Sequence, residues 1–102
     1  MQIAEHLKAL SDETRLRIIH LLLHIPSMRV MDLVTILGEP QSKVSRHLAY
    51  LKRSGWVEDR RVDQWVYYRL SSTIRPIWRE ALQELFAQEL VFETDLKRAR
   101  EM

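Results

Sequence analysis

Apolar residues recur at helical intervals through the first half of the chain. Ile3, Leu7 and Leu10 are spaced by four and three, and Leu16, Ile19, Leu22 and Leu23 form a second stripe opposite Glu13, Arg17, His20 and His24. The pattern predicts a short first helix and then a second one, capped by Ser11, favoured at its positive end by Asp12 and Glu13, and stopped by Pro26. Residues 28–37 read as a third helix with Val30, Leu33, Val34 and Leu37 inward, closed by Gly38 and Pro40. Residues 41–54 read as a fourth, in which Val44, Leu48 and Leu51 point inward and Gly55 supplies the terminal left-handed position. Helix, tight glycine-containing turn, helix is the helix-turn-helix pattern.

From Trp56 the period changes. Residues 56–61 and 65–70 are rich in aromatic and β-branched side chains around Val62, Asp63 and Gln64, which predicts a β-hairpin. The chain then returns to helical spacing with Ile74, Ile77, Trp78, Ala81, Leu82, Leu85 and Phe86, extended by Leu90, and its basic end, residues 97–100, is expected to fray. No linker, repeat or low-complexity stretch interrupts the chain, so residues 1–102 are expected to form one domain, mainly α with a β-hairpin wing.

At 102 residues, 46% hydrophobic and 29% charged, such a domain has room for one modest core, and apolar surface left over is naturally covered by a second copy. Neither a membrane-spanning run nor a signal peptide is visible, so a cytoplasmic protein without a membrane partner is expected. Cysteine is absent, which excludes disulfides, thiolate catalysis, thiol redox sensing and sulfur-rich metal sites. The net charge of +2 is unevenly distributed: residues 1–40 carry four Lys or Arg against five acids, residues 41–70 seven against three, and residues 71–102 five against six. A basic centre between near-neutral ends is the footprint of a segment that faces phosphates.

The order of elements and three blocks of residues resemble the ArsR/SmtB family of bacterial winged-helix repressors over nearly the whole chain. Leu7-Lys8-Ala9-Leu10-Ser11-Asp12-Glu13-Thr14-Arg15-Leu16-Arg17-Ile18 is similar to the family's opening, Val44-Ser45-Arg46-His47-Leu48 to its recognition helix, and Trp65-Val66-Tyr67-Tyr68-Arg69-Leu70 to its second wing strand. The resemblance implies a winged helix-turn-helix homodimer joined through the first and last helices, binding a palindromic operator and usually released by a metal or other signal. The chain departs from the family at the switch. The arsenic and cadmium sensors carry two cysteines at positions corresponding to Arg29 and Met31, and the zinc and nickel sensors use aspartate and histidine on the last helix, where residues 72–90 contain neither.

The expected partner is double-stranded DNA, because a major groove admits a helix and is read there by bidentate donors and acceptors. Gln41, Ser42 and Arg46 are the expected base contacts. Lys43, Ser45, His47 and Lys52 are the expected phosphate contacts, since backbone contacts set register. Arg60, Arg61 and Gln64 are expected to reach phosphates or the minor groove from the wing, although Asp63 and Gln64 stand where family wings often carry glycine and a basic residue. Pro40 replaces the usual capping serine. The expected dimer interface comprises Ile3, Leu7, Ile74, Ile77, Trp78, Ala81, Leu82, Leu85 and Phe86.

No cofactor and no metal is expected, and the effector is not specified by the sequence. His20 and His24, four apart, are the residual metal candidates, with Glu13 or His6 as candidate third ligands; Met28 and Met31 read as core fillers. Enzymatic function is not expected, because there is neither a glycine-rich phosphate loop nor a justified nucleophile, base and acid grouping. The competing reading is a winged helix that binds another protein and DNA only weakly.

Overall fold

The computed structural model describes residues 2–102. Its elements are α1 (Ile3–Ala9), α2 (Glu13–His24), β1 (Met28–Arg29), α3 (Val30–Leu37), α4 (Gln41–Arg53), β2 (Val57–Val62), β3 (Trp65–Leu70), α5 (Pro76–Phe86) and α6 (Leu90–Arg100). The expected helices, turn and hairpin are present, and the whole is a winged helix-turn-helix.

Helix α2 is the centre of the packing. Ile18, Ile19, Leu21 and Leu22 are buried, while Leu16 and Leu23 are only half-buried. The buried set spans more of the helix circumference than one amphipathic stripe, because α4, α5, α6 and β3 all pack on it. Fully burying such a side chain contributes about 1.5–3 kcal/mol. The cap of α2 is Asp12 rather than Ser11: Asp12 Oδ2 accepts from the Arg15 amide at 3.0 Å, and Ser11 Oγ instead donates to the Lys8 carbonyl at 2.6 Å. Both hydroxyl and carboxylate suit an N-cap, and the earlier residue is consumed by closing α1.

The third helix begins later than expected. Met28 and Arg29 are extended and pair antiparallel with Tyr68 and Tyr67, adding a short edge to the hairpin in a sheet ordered β1-β3-β2. Gly38 ends α3 at φ 66, the left-handed conformation that glycine adopts without steric cost. The hairpin runs from the Val57↔Leu70 pair to Val62↔Trp65, and its two-residue turn puts Asp63 at φ 55, a position Asp tolerates.

The C-terminal segment also differs from the sequence reading. The helix ends at Phe86, and a second one, α6, starts at Leu90 and runs to Arg100, so residues 97–100 are helical rather than frayed. Phe92 is buried and packs against Phe86 with the rings tilted by 42° and their centroids 4.4 Å apart. Asp95, 1% exposed, takes both Nε and Nη2 of Arg17 at 2.8 Å, and Arg98 Nη1 donates to the Ile36 carbonyl at 3.4 Å. These contacts bind α6 to α2 and to the end of α3.

The start of the wing is anchored by Trp56. Its ring is fully buried, its Nε1–H donates to the His6 carbonyl at 3.0 Å, and it meets Trp78 edge-on at 5.5 Å. Buried indoles keep a hydrogen-bond partner; here that partner ties α1 to the start of the wing, and the Trp78 ring ties α5 to it.

Candidate nucleic-acid interface

Helix α4 is held by Val44, Leu48 and Leu51, all fully buried, and presents Gln41, Ser42, Ser45, Arg46, Ala49, Lys52 and Arg53 outward. Arg46 has no hydrogen-bond or ion-pair partner among the described residues, so its guanidinium fork is free to engage a ligand. Lys43 lies 3.1 Å from Glu39, and Lys52 lies 3.0 Å from Asp59 on β2. Both pairs are solvent-exposed enough that a phosphate would compete with the carboxylate on nearly even terms.

His47 departs from expectation. It is 6% exposed, and its Nδ1 lies 3.3 Å from Arg15 Nη1 and 3.7 Å from Asp12 Oδ2. Burial holds its imidazole below the ordinary range, the Asp12 carboxylate opposes that shift, and Arg15, Arg46 and Lys43 add to it. A neutral imidazole turned into the domain makes no phosphate contact. Spacing carries the signal: positions 44, 47, 48 and 51 fall on one side of a helix.

Pro40 is the N-cap of α4 and offers no side-chain bond. Its carbonyl accepts from the Lys43 and Val44 amides at 3.1 Å, leaving the first amides of the helix directed at solvent. On the wing, Arg60, Arg61 and Gln64 are exposed. Trp65, beside the turn, is covered on one face by Arg29, whose guanidinium carbon lies 4.7 Å from the ring centroid.

The residues expected at a dimer interface separate into two groups. Ile3, Leu7, Ile77 and Leu85 are each more than half exposed, Ala81 is exposed beside them, and Trp78 is half-buried. Ile74, Leu82 and Phe86 are buried within the single chain and hold α5 on its own core, so they are not available to a second copy. The one-dimensional pattern merges two faces of one amphipathic helix.

His20 and His24 do lie together, with ring centroids 5.0 Å apart, beside a cavity of about 500 Å³ that is also lined by Gln83, Phe86 and Glu93. His20 is buried between Phe86 and Phe92, its Nδ1 has no hydrogen-bond partner, and burial, with the neighbouring His24, pushes its pKa down to about 4. His6 packs against Trp56 and Trp78 instead of joining them. Among the described residues no three His, Cys, Asp or Glu side chains are grouped to hold a metal ion. Met28 is in the core as expected, whereas Met31 is more than half exposed, because the helix beginning at Val30 turns it away from Leu33. Among the described residues no helix is long and apolar enough to cross a membrane.

Residues 12–59 match the family model described as "Bacterial regulatory protein, arsR family". The chain is 51% identical over 71 residues to the arsenical resistance operon repressor of Escherichia coli, covering 70% of this chain and 60% of the relative. It is 42% identical over 82 residues to the transcriptional activator HlyU of Vibrio cholerae, covering 80% of this chain and 75% of that protein. A solved HlyU structure from Vibrio cholerae superposes with a TM-score of 0.74 at 40% identity, over 83% of this chain and 91% of the other. The chain spans 58% to 66% of the length of the arsenic-resistance regulators of E. coli and Pseudomonas putida that it matches. These relatives are regulators of transcription and not enzymes. With its helix-turn-helix, its three-stranded wing and these similarities, the chain belongs to the arsR family of bacterial regulatory proteins.

Proposed function

We propose that this protein is a transcriptional repressor that binds a palindromic operator in double-stranded DNA as a homodimer. The observation that carries the reading is the outward face of α4, where Gln41, Ser42, Ser45 and Arg46 are exposed on a helix fixed from behind by a fully buried stripe. Ser42, Ser45 and Ala49 are small, which lets the helix sit deep in a major groove while Gln41 and Arg46 reach the base edges. Arg binds guanine O6 and N7 bidentately and Gln binds adenine N6 and N7. Lys43, Ser45 and Lys52 from α4, with Arg60, Arg61 and Gln64 from the wing, are assigned to phosphates, and the uncapped α4 terminus favours an anion. The E. coli relative is named a repressor and HlyU an activator; repression is preferred because the former shares the higher identity.

A homodimer is supported by the unpartnered apolar side chains Ile3, Leu7, Ile77, Ala81 and Leu85 on α1 and α5. An isologous pair places two recognition helices for the two half-sites of a palindrome. Such a repressor works in the bacterial cytoplasm, where the chromosome is. Its releasing signal is of a kind other than thiolate-bound arsenic or cadmium, since the chain has no cysteine.

The reading is tested by comparing Arg46→Ala with Lys52→Ala. Losing a bidentate base contact weakens operator binding by about 1–3 kcal/mol per half-site and relaxes preference at the same base pair of each half-site, whereas losing a phosphate contact weakens all sequences alike. Equal losses on operator and random DNA for both variants contradict the assignment.

A further inference from the structure

Arg15 stands behind the DNA-facing surface and spends its whole guanidinium on groups outside its own helix. Its Nε donates to the Ala9 carbonyl at 2.7 Å and its Nη2 to the Lys8 carbonyl at 3.4 Å. Both carbonyls lie at the C-terminal end of α1; that of Lys8 also accepts from the Ser11 amide and hydroxyl, whereas that of Ala9 takes no backbone amide among the described residues. Its Nη1 faces His47 Nδ1 at 3.3 Å, and its guanidinium carbon lies 4.1 Å from the centroid of Tyr50. His47 and Tyr50 stand one turn apart on the recognition helix. A single planar cation thus bridges the end of α1 and the inner side of α4.

We propose that Arg15 is a positioning residue for DNA reading, fixing the recognition helix against α1 through the unprotonated Nδ1 of His47. The inference rests on the DNA-binding reading above, and it adds a reason why the imidazole must be neutral. A guanidinium only donates, so the contact requires Nδ1 as acceptor and the proton on Nε2. The groups facing His47 are Asp12 and Arg15 from the start of α2 and Lys43 and Arg46 from α4 itself. When the ring gains a second proton, Nδ1 becomes a donor, is repelled by the guanidinium and is drawn to Asp12 Oδ2, 3.7 Å away. The bridge to α1 is then lost, and α4 loses its reference to the face on which two copies meet.

This mechanism has a sign opposite to that of simple charge. An added proton near the DNA surface strengthens binding to phosphates through electrostatics alone. The positioning role instead makes specific binding weaker in acid, in the range below the ordinary imidazole pKa, because burial holds that of His47 down.

The test measures operator and random-duplex affinity at about pH 7.5 and about pH 5.5 for the full chain, Arg15→Lys and His47→Asn, with sedimentation and melting temperature for each. The Asn amide oxygen stands near the position of Nδ1 and does not titrate. Arg15→Lys is expected to lose about tenfold or more in operator affinity, the worth of one charge-assisted hydrogen bond, with random-DNA affinity and the dimer unchanged. Unmodified protein is expected to bind its operator more weakly in acid, and His47→Asn to match it at the higher pH while showing less acid loss. Arg15→Lys binding as tightly as the parent, or acid loss undiminished in His47→Asn, overturns the proposal.

Nitrogen NMR of the imidazoles separates failure of the bridge from failure of the DNA-binding reading. An unprotonated His47 Nδ1 that shifts in Arg15→Lys supports the bridge even if no operator is found. A protonated Nδ1 at neutral pH overturns it whatever the DNA result.

Discussion

His20 makes stability fall in mild acid, by an amount that can be worked from its surroundings. The ring is buried between Phe86 and Phe92, its Nδ1 is unpartnered, and burial followed by repulsion from His24 pushes its pKa from 6.5 to about 4. The folded protein therefore binds this proton less readily than the unfolded chain. The stabilisation is complete above the ordinary pKa and is lost as pH falls from 6.5 towards 4. At about pH 5 the unfolded state gains about 2 kcal/mol relative to the folded one, a substantial part of the roughly 5–15 kcal/mol that holds a small domain together. His20→Leu removes the titration and suits the two phenylalanines. Urea unfolding followed by circular dichroism near pH 7 and pH 5, at one fixed protein concentration, measures the difference. His6, His24 and His47 are also shifted downward and add to the acid loss of the parent, so the informative quantity is the parent's loss minus that of the variant. A difference of about 2 kcal/mol is expected; identical losses refute the argument.

Asp95→Ala leaves the Arg17 guanidinium largely buried and without its carboxylate, and is expected to cost about 3–5 kcal/mol, read as a lower urea midpoint. Replacing both Ile77 and Leu85 with Glu sets charges on the apolar face of α5 without entering the chain's own core. That variant is expected to sediment as a folded monomer with weakened operator binding; a stable dimer contradicts the assigned interface.

Helices α1 to α5, the turn and the hairpin are legible in the sequence because each follows from local periodicity and from Gly38, Pro40 and Asp63. What is not legible depends on partners distant in sequence. The two-residue strand at Met28 exists only because Tyr67 and Tyr68 offer it a free edge. Helix α6 is fastened by Asp95 to Arg17, 78 residues away, and a buried ion pair leaves no apolar signal. Trp56 reads as the start of a strand, and its hydrogen bond to α1 is equally invisible in the spacing.

At the candidate interface, the exposure of Gln41, Ser42 and Arg46 on α4 is legible from the period, because Val44, Leu48 and Leu51 fix which side is inside. For His47, chemistry suggests a phosphate contact and position along the helix opposes it; position prevails. On α5 the chemistry of Leu82 and Phe86 groups them with Ile77 and Leu85, although they lie on the other face of the helix.

The most direct test of a dimeric, sequence-reading repressor is selection of bound duplexes from a random pool, followed by titration of the selected sequence at several salt concentrations. A palindromic winner is expected, with the logarithm of affinity falling against the logarithm of salt at a slope steeper than about −5, as several phosphate contacts per subunit require. No enrichment, or weak binding that ignores salt, contradicts the account and favours a protein partner for this surface.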